Sequence, residues 1–246
     1  MKVAEDGFQL REFNGRAVAF IYAADGLGPA TVAAFRDAGA RIAVDTRDER
    51  FSNVAAREPL GGSSVEDIRA FFDRCEALLG GLDVLVICAR TVATGPVLQT
   101  PVERFADVIA GELTVPILCM QEAAKRMVER GKGRIISFAS MSGKTGAHAG
   151  VAAFAAAKGG LVTFSRALAT ELAASGVTVN VIATALFEPQ VASVDAGHRA
   201  ELLQGIPVRR FGRPAEAAHA ALFFASDNAG YITGETLNMS GGRFMD

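Results

Sequence analysis

The amino-acid sequence predicts an α/β fold, a single-domain doubly wound parallel sheet with helices on both faces. Three observations lead there. Short apolar runs alternate with longer amphipathic stretches from Arg16 to the end. The runs are continuous in Val, Ile, Leu and Ala, without the polar alternation of a half-exposed strand, so both of their faces are expected to be buried. The chain has 246 residues, 50% of them hydrophobic, which is enough for one large core. Right-handed crossovers between parallel strands then give the doubly wound, Rossmann-type arrangement.

Taken in order, residues 1–14 read as a polar N-terminal extension and 15–246 as the domain. "AVAFIYAA" (17–24) is a buried strand, "GPATVAAFRDAGA" (28–40) a helix closed by Gly39, and "RIAVD" (41–45) the second strand. "LDVLVICA" (82–89) and "GRIISFAS" (133–140) are strands that each follow a helical stretch. In 154–172, Phe154, Ala157, Leu161, Phe164, Leu168 and Leu172 share one helical face, with Ala153, Ala156, Gly160 and Ala167 on adjoining faces. That helix is either a core helix with an alanine-rich back or one whose small-residue flank admits another subunit's backbone. "GVTVNVIAT" (176–184) and "ETLNMSGG" (235–242) complete the series. There is no internal repeat and no linker rich in Pro, Gly or Ser.

Charge is nearly balanced, 25 basic against 27 acidic residues with no run of one sign, which argues against a nucleic-acid or membrane partner. Cys75, Cys88 and Cys119 lack metal-ligand spacing and read as buried reduced thiols; no metal site is expected. With no charged-then-apolar leader, and no apolar run near the ~20 residues of a membrane span, a cytoplasmic location is expected.

From Gly15 to about Gly242 the sequence resembles the short-chain dehydrogenase/reductase family. The tail "PVRRFGRPAEAAHAALFFASDNAGYITGETLNMSGG" (207–242) follows that family's closing helix, turn and last strand. "FAAAK" stands where the family has Tyr-x-x-x-Lys, and "GRIISFAS" ends in Ser140, at the family's catalytic serine. "LDVLV" (82–86) and "NVIA" (180–183) are also in register.

The resemblance implies a nicotinamide site and a proton relay, and both depart from the family pattern. The first turn should run Thr-Gly-x-x-x-Gly-x-Gly, presenting backbone N–H groups and a helix N-terminus to a pyrophosphate. Here "IYAADGLG" (21–28) keeps Gly26 and Gly28 but has Tyr22 for the first glycine, with Asp25 adding negative charge. The two remaining glycines are expected to serve helix–strand packing. The family's Asn-Asn-Ala-Gly is "ICAR" (87–90), which puts the cation Arg90 where a glycine admits the cofactor. Its adenine-contacting Asp-Val is Glu58-Pro59, after a connection with little room for a helix. Its Pro-Gly is Thr184-Ala185, and its nicotinamide-holding Thr is Pro189, which has no backbone N–H. Asp45-Thr46-Arg47, at the end of the second strand, could serve ribose recognition, but with the remaining site broken they are expected to be ordinary solvent-facing charges.

Of the relay Asn, Ser, Tyr and Lys, Ser140 and Lys158 survive; the tyrosine is Phe154 and the asparagine Glu112. Phenylalanine has no proton to give, and losing a positioned acid/base costs ~10²–10⁴ in rate. A lysine without its tyrosine and ribose would be an unpaired buried cation. A Glu112–Lys158 contact is therefore expected, with Tyr22 and Arg90 intruding on the nucleotide cavity; the alternative turns Glu112 to solvent. Tyr231 reads as a fold-stabilising residue of the closing turn, and His148 and Lys144 as loop residues able to face the pocket. A halohydrin dehalogenase would need Ser, Tyr and Arg, and the last two are absent at the matching positions.

These replacements imply a non-catalytic subunit that binds no cofactor of its own and pairs with an active short-chain dehydrogenase homologue in a hetero-oligomer, a tetramer by family habit. NAD or NADP would sit in the partner. The substrate class would be a secondary alcohol or ketone, including a hydroxyacyl-CoA. Degenerate subunits of this kind occur in the family, as in the hydroxyacyl-CoA dehydrogenase of benzylsuccinate degradation. The alternatives are an enzyme with altered chemistry on Ser140 and Lys158, or a small-ligand-binding regulatory module.

Overall fold

Burial along the strands decides the architecture. In the computed structural model, which describes residues 13–90, 95–146 and 149–245, seven parallel strands form one sheet in the order β3-β2-β1-β4-β5-β6-β7. They are β1 Ala17–Ile21, β2 Arg41–Val44, β3 Ala56–Arg57, β4 Val84–Ile87, β5 Gly133–Ser140, β6 Val177–Thr184 and β7 Thr236–Met239. Every residue of β1, β4 and β6 is buried, as their unbroken apolar composition requires. The side chains alternate between two cores. Val18 and Phe20 join Val32 and Phe35 of α1 (Gly28–Asp37) and Ala221 and Leu222 of α8 (Pro214–Ala225). On the other face Ala19 and Ile21 meet Phe71 and Phe72 of α2 (Val65–Leu79), Met120 of α4 (Val115–Glu129) and Leu161 of α6 (Ala152–Leu172). Phe20 and Phe35 pack edge to face at 5.4 Å, a geometry favoured by the ring quadrupoles.

Several expectations are corrected. Strand β1 stops at Ile21 because Tyr22 takes φ +59°, a left-handed conformation that ends extended pairing. The two-residue β3 was hidden in a polar stretch, and only a single helical turn (Glu49–Phe51) lies before it. Phe13 is buried against Phe35 at 5.1 Å, so the ordered core reaches back into the segment read as an extension; residues 1–12 lie outside the described residues. The expected apolar face of α6 splits: Ala157 and Leu161 enter the core, whereas Phe164, Leu168 and Leu172 are half-buried beside α4. Tyr231 touches little, its side chain being fully exposed, and it has no stabilising packing. Among the described residues no helix is long and apolar enough to cross a membrane.

Candidate functional site

Strand order reverses between β1 and β4, and in open parallel sheets a crevice opens beyond the carboxyl ends of the strands at such a reversal. Tyr22 leaves β1 and Arg90 follows β4 at this place. The Arg90 guanidinium lies 4.9 Å from the centroid of the Tyr22 ring. The Tyr22 hydroxyl donates at 2.7 Å to the carbonyl of Gly111, within a π-helical turn (Ala110–Thr114) that joins α3 (Val102–Ile109) to α4. A methyl group on Gly111 would come within 2.8 Å of an Arg90 Nη, so the guanidinium sits there only because residue 111 is glycine. Burial pushes the Tyr22 hydroxyl well above its ordinary pKa, with Arg90 pulling the other way.

The left-handed turn at Tyr22 is unfavourable for a residue with a Cβ, by roughly 1–2 kcal/mol. Asp45 holds it: one carboxylate oxygen accepts the Tyr22 N–H at 2.7 Å and the other the Ala23 N–H at 3.1 Å. Expected as a solvent-facing charge, Asp45 is instead half-buried, and burial raises its pKa while the two N–H donors act to lower it. Gly26 is left-handed at φ +50°. Gly28 lies so close to the turn that a Cβ would stand 2.3 Å from the Ala23 carbonyl oxygen, a close approach within the turn itself rather than the helix–strand packing expected for it.

Beneath this pair, Glu112 and Lys158 are both fully buried, with Oε2 and Nζ 3.0 Å apart. The contact expected from the sequence is therefore direct. Arg90 adds a second cation to the same carboxylate, its Nε 2.7 Å from Oε1. Neither approach is aligned as a hydrogen bond, so the attraction is Coulombic in a low-dielectric surrounding. Lys158 also reaches the Phe138 carbonyl at 3.4 Å and lies 5.6 Å from the centre of the Phe154 ring. Burial pushes its pKa down and Glu112 pulls it back up.

Ser140 ends β5 half-buried, its hydroxyl accepting at 3.1 Å the N–H of Ser142, which opens the one-turn helix α5 (Ser142–Thr145). Glu58 takes no part in this cluster; it pairs with Arg74 at 3.0 Å beside β3. Pro189 is exposed on a short helical turn (Glu188–Val191). Lys144 donates to Asn238 at 2.8 Å and faces the Phe244 ring, and His148 lies outside the described residues. The structure thus gathers Tyr22, Arg90, Glu112, Phe154 and Lys158, and leaves Glu58 and Pro189 apart. Sequence reasoning misreads Asp45 and overlooks Gly111. A glycine inside a helical stretch signals a close approach, and that signal was present at Gly111.

Chemically, the described cluster holds a proton acceptor already shared by two cations and an aromatic ring where a proton donor would stand. Comparison with known proteins places it in context. Residues 22–243 match the family model described as Enoyl-(Acyl carrier protein) reductase. The chain is 32% identical to the 3-oxoacyl-(acyl-carrier-protein) reductase FabG of Escherichia coli over 243 residues, 95% of this chain and 99% of that protein. It is 33% identical to the corresponding reductase of Vibrio harveyi, over 94% of this chain and 98% of that one. Nodulation protein G of Azospirillum brasilense is 38% identical over 73% of each chain.

Proposed function

The chain belongs to the short-chain dehydrogenase/reductase family, and from that premise we propose that it has given up the family's hydride transfer and serves as a non-catalytic subunit of an active homologue. The carrying observation is the buried Glu112–Lys158 ion pair beneath Phe154. The lysine that would lower a tyrosine's pKa and hold a ribose is bound to the chain's own carboxylate, and no hydroxyl stands at 154 to be tuned.

The residues at the switch point are a poor fit to a dinucleotide. The Tyr22–Arg90 stack stands at the crevice between β1 and β4, on the wall of a concavity of about 290 Å³, and the Asp45 carboxylate takes two N–H groups of the turn. NAD or NADP belongs, in this reading, to the partner subunit, which acts on a ketone or secondary alcohol of the acyl-thioester class. The long helices α4 and α6 support such pairing: they leave between them an open cavity of about 540 Å³, lined by Ile117, Val128, Phe164 and Leu168.

A second reading has its own support. The relatives carry reductase names over nearly the whole chain, which favours an oxidoreductase with altered chemistry on Ser140 and Lys158. Titration of the isolated chain with NADH and NADPH separates the two. The subunit reading expects no saturable binding of NADH and no turnover with either nucleotide, before or after Phe154→Tyr. It also expects co-purification with a co-expressed short-chain dehydrogenase of the same gene neighbourhood that has an intact Tyr-x-x-x-Lys. Tight binding with ketone reduction by the isolated chain would overturn it in favour of the second reading.

A further inference from the structure

Although the sequence is nearly neutral with no long run of one charge, folding concentrates four arginines around one concavity in the segment that follows β6. It lies between α7 (Ala196–Gln204) and the start of α8 and has a volume of about 340 Å³, within the range of small-molecule sites. Leu203, half-buried, and Phe211, buried, supply apolar wall, and Arg199, Arg209, Arg210 and Arg213 the basic wall. Two of these cations are held in place. Arg199 donates to the Val191 carbonyl at 2.5 Å and lies 5.1 Å from the Phe211 ring centroid. Arg210 grips Glu216 with both Nη atoms, at 2.8 and 2.6 Å.

Arg209 and Arg213 keep most of their donors for solvent. Arg209 sits in a left-handed conformation, φ +57°, unusual for a residue with a side chain, with one bond from Nη1 to the Gln204 carbonyl at 3.0 Å. Arg213 is 64% exposed and meets Glu216 only at 3.3 Å. Four guanidiniums against the carboxylates of Glu188 and Glu216 leave a net charge of +2 around the concavity. A phosphate monoester carries about −1.5 to −2 near neutral pH and accepts forked guanidinium donors.

We propose that this concavity binds an organic phosphate monoester, its phosphate against Arg209 and Arg213 and its carbon body against Leu203 and Phe211. The site stands on its own residues and does not depend on whether the nucleotide crevice is closed. Isothermal titration of the full chain with coenzyme A, dephospho-coenzyme A and inorganic phosphate tests it. Coenzyme A, which carries a monoester, should bind about tenfold or more tighter than either of the other two, and raised salt should weaken it. Arg209→Gly removes the guanidinium while suiting the backbone angle, so it should weaken coenzyme A about tenfold and leave the melting temperature in place. Arg213→Gln should act likewise. The assignment is overturned if coenzyme A fails to saturate by about 1 mM, if dephospho-coenzyme A or inorganic phosphate binds equally well, or if folded Arg209→Gly binds as the parent does.

Discussion

Glu112 serves two cations with one carboxylate, and the arithmetic of that arrangement explains most of the site. Lys158 is wholly buried, whereas Arg90 keeps 36% of its side chain exposed. A neutral group at 112 would therefore strand Lys158 far more than Arg90. Glu112→Gln should destabilise the fold by about 3–5 kcal/mol, the usual result of leaving a buried charge unpaired. Lys158→Met should cost less, because Arg90 remains to pair with the carboxylate. Urea denaturation of the two variants checks the order, and equal stability of Glu112→Gln and the parent would mean the pair is not buried in solution. At this scale the sequence was informative about partners. Replacing the relay asparagine by an acid while keeping the lysine pointed to a contact, and the contact is there. Asp45 was read wrongly, since the strain it relieves at Tyr22 is a property of backbone angles, which a residue's identity does not disclose.

Helix α8 shows how a local signal is reinforced by tertiary charge. Pro214 starts it, and Glu216 reaches back to accept the Arg213 N–H at 2.8 Å while taking both Nη groups of Arg210. These contacts, led by Arg210, lower the Glu216 pKa from 4.5 to about 2. Because the folded-state value is depressed, the stabilisation is fully present above the unfolded value and is lost as pH falls through the folded one. The stability gap between the parent and Glu216→Gln should hold above about pH 5 and shrink toward zero near pH 2, as followed by circular dichroism in urea. A constant gap across that range would remove the ion-pair explanation. Strand β5 is legible to the residue, since six of its eight positions are buried. β3 was not, because two residues at a sheet edge leave no period to detect. The composition of α6 showed a helix, but which of its apolar residues turn inward was settled by α4 lying alongside.

For the whole molecule, the cavity between α4 and α6 is the largest unfilled apolar surface among those described, and the proposed partnership would use it. Ala167 lines it and is exposed, so Ala167→Glu adds charge at no expense to the fold. That variant should fail to co-sediment with the active homologue while melting as the parent does; retained assembly would place the contact elsewhere. By itself the sequence determined the parallel sheet, its flanking helices and the replacement of the tyrosine at position 154, because burial on both faces and chemical identity are written residue by residue. Only the tertiary structure decided that Tyr22 and Arg90 stack over the switch point, that Arg90 shares Glu112 with Lys158, and that four arginines converge near α7. Those facts depend on distances between residues remote in the chain, and such distances are set by how strands and helices pack.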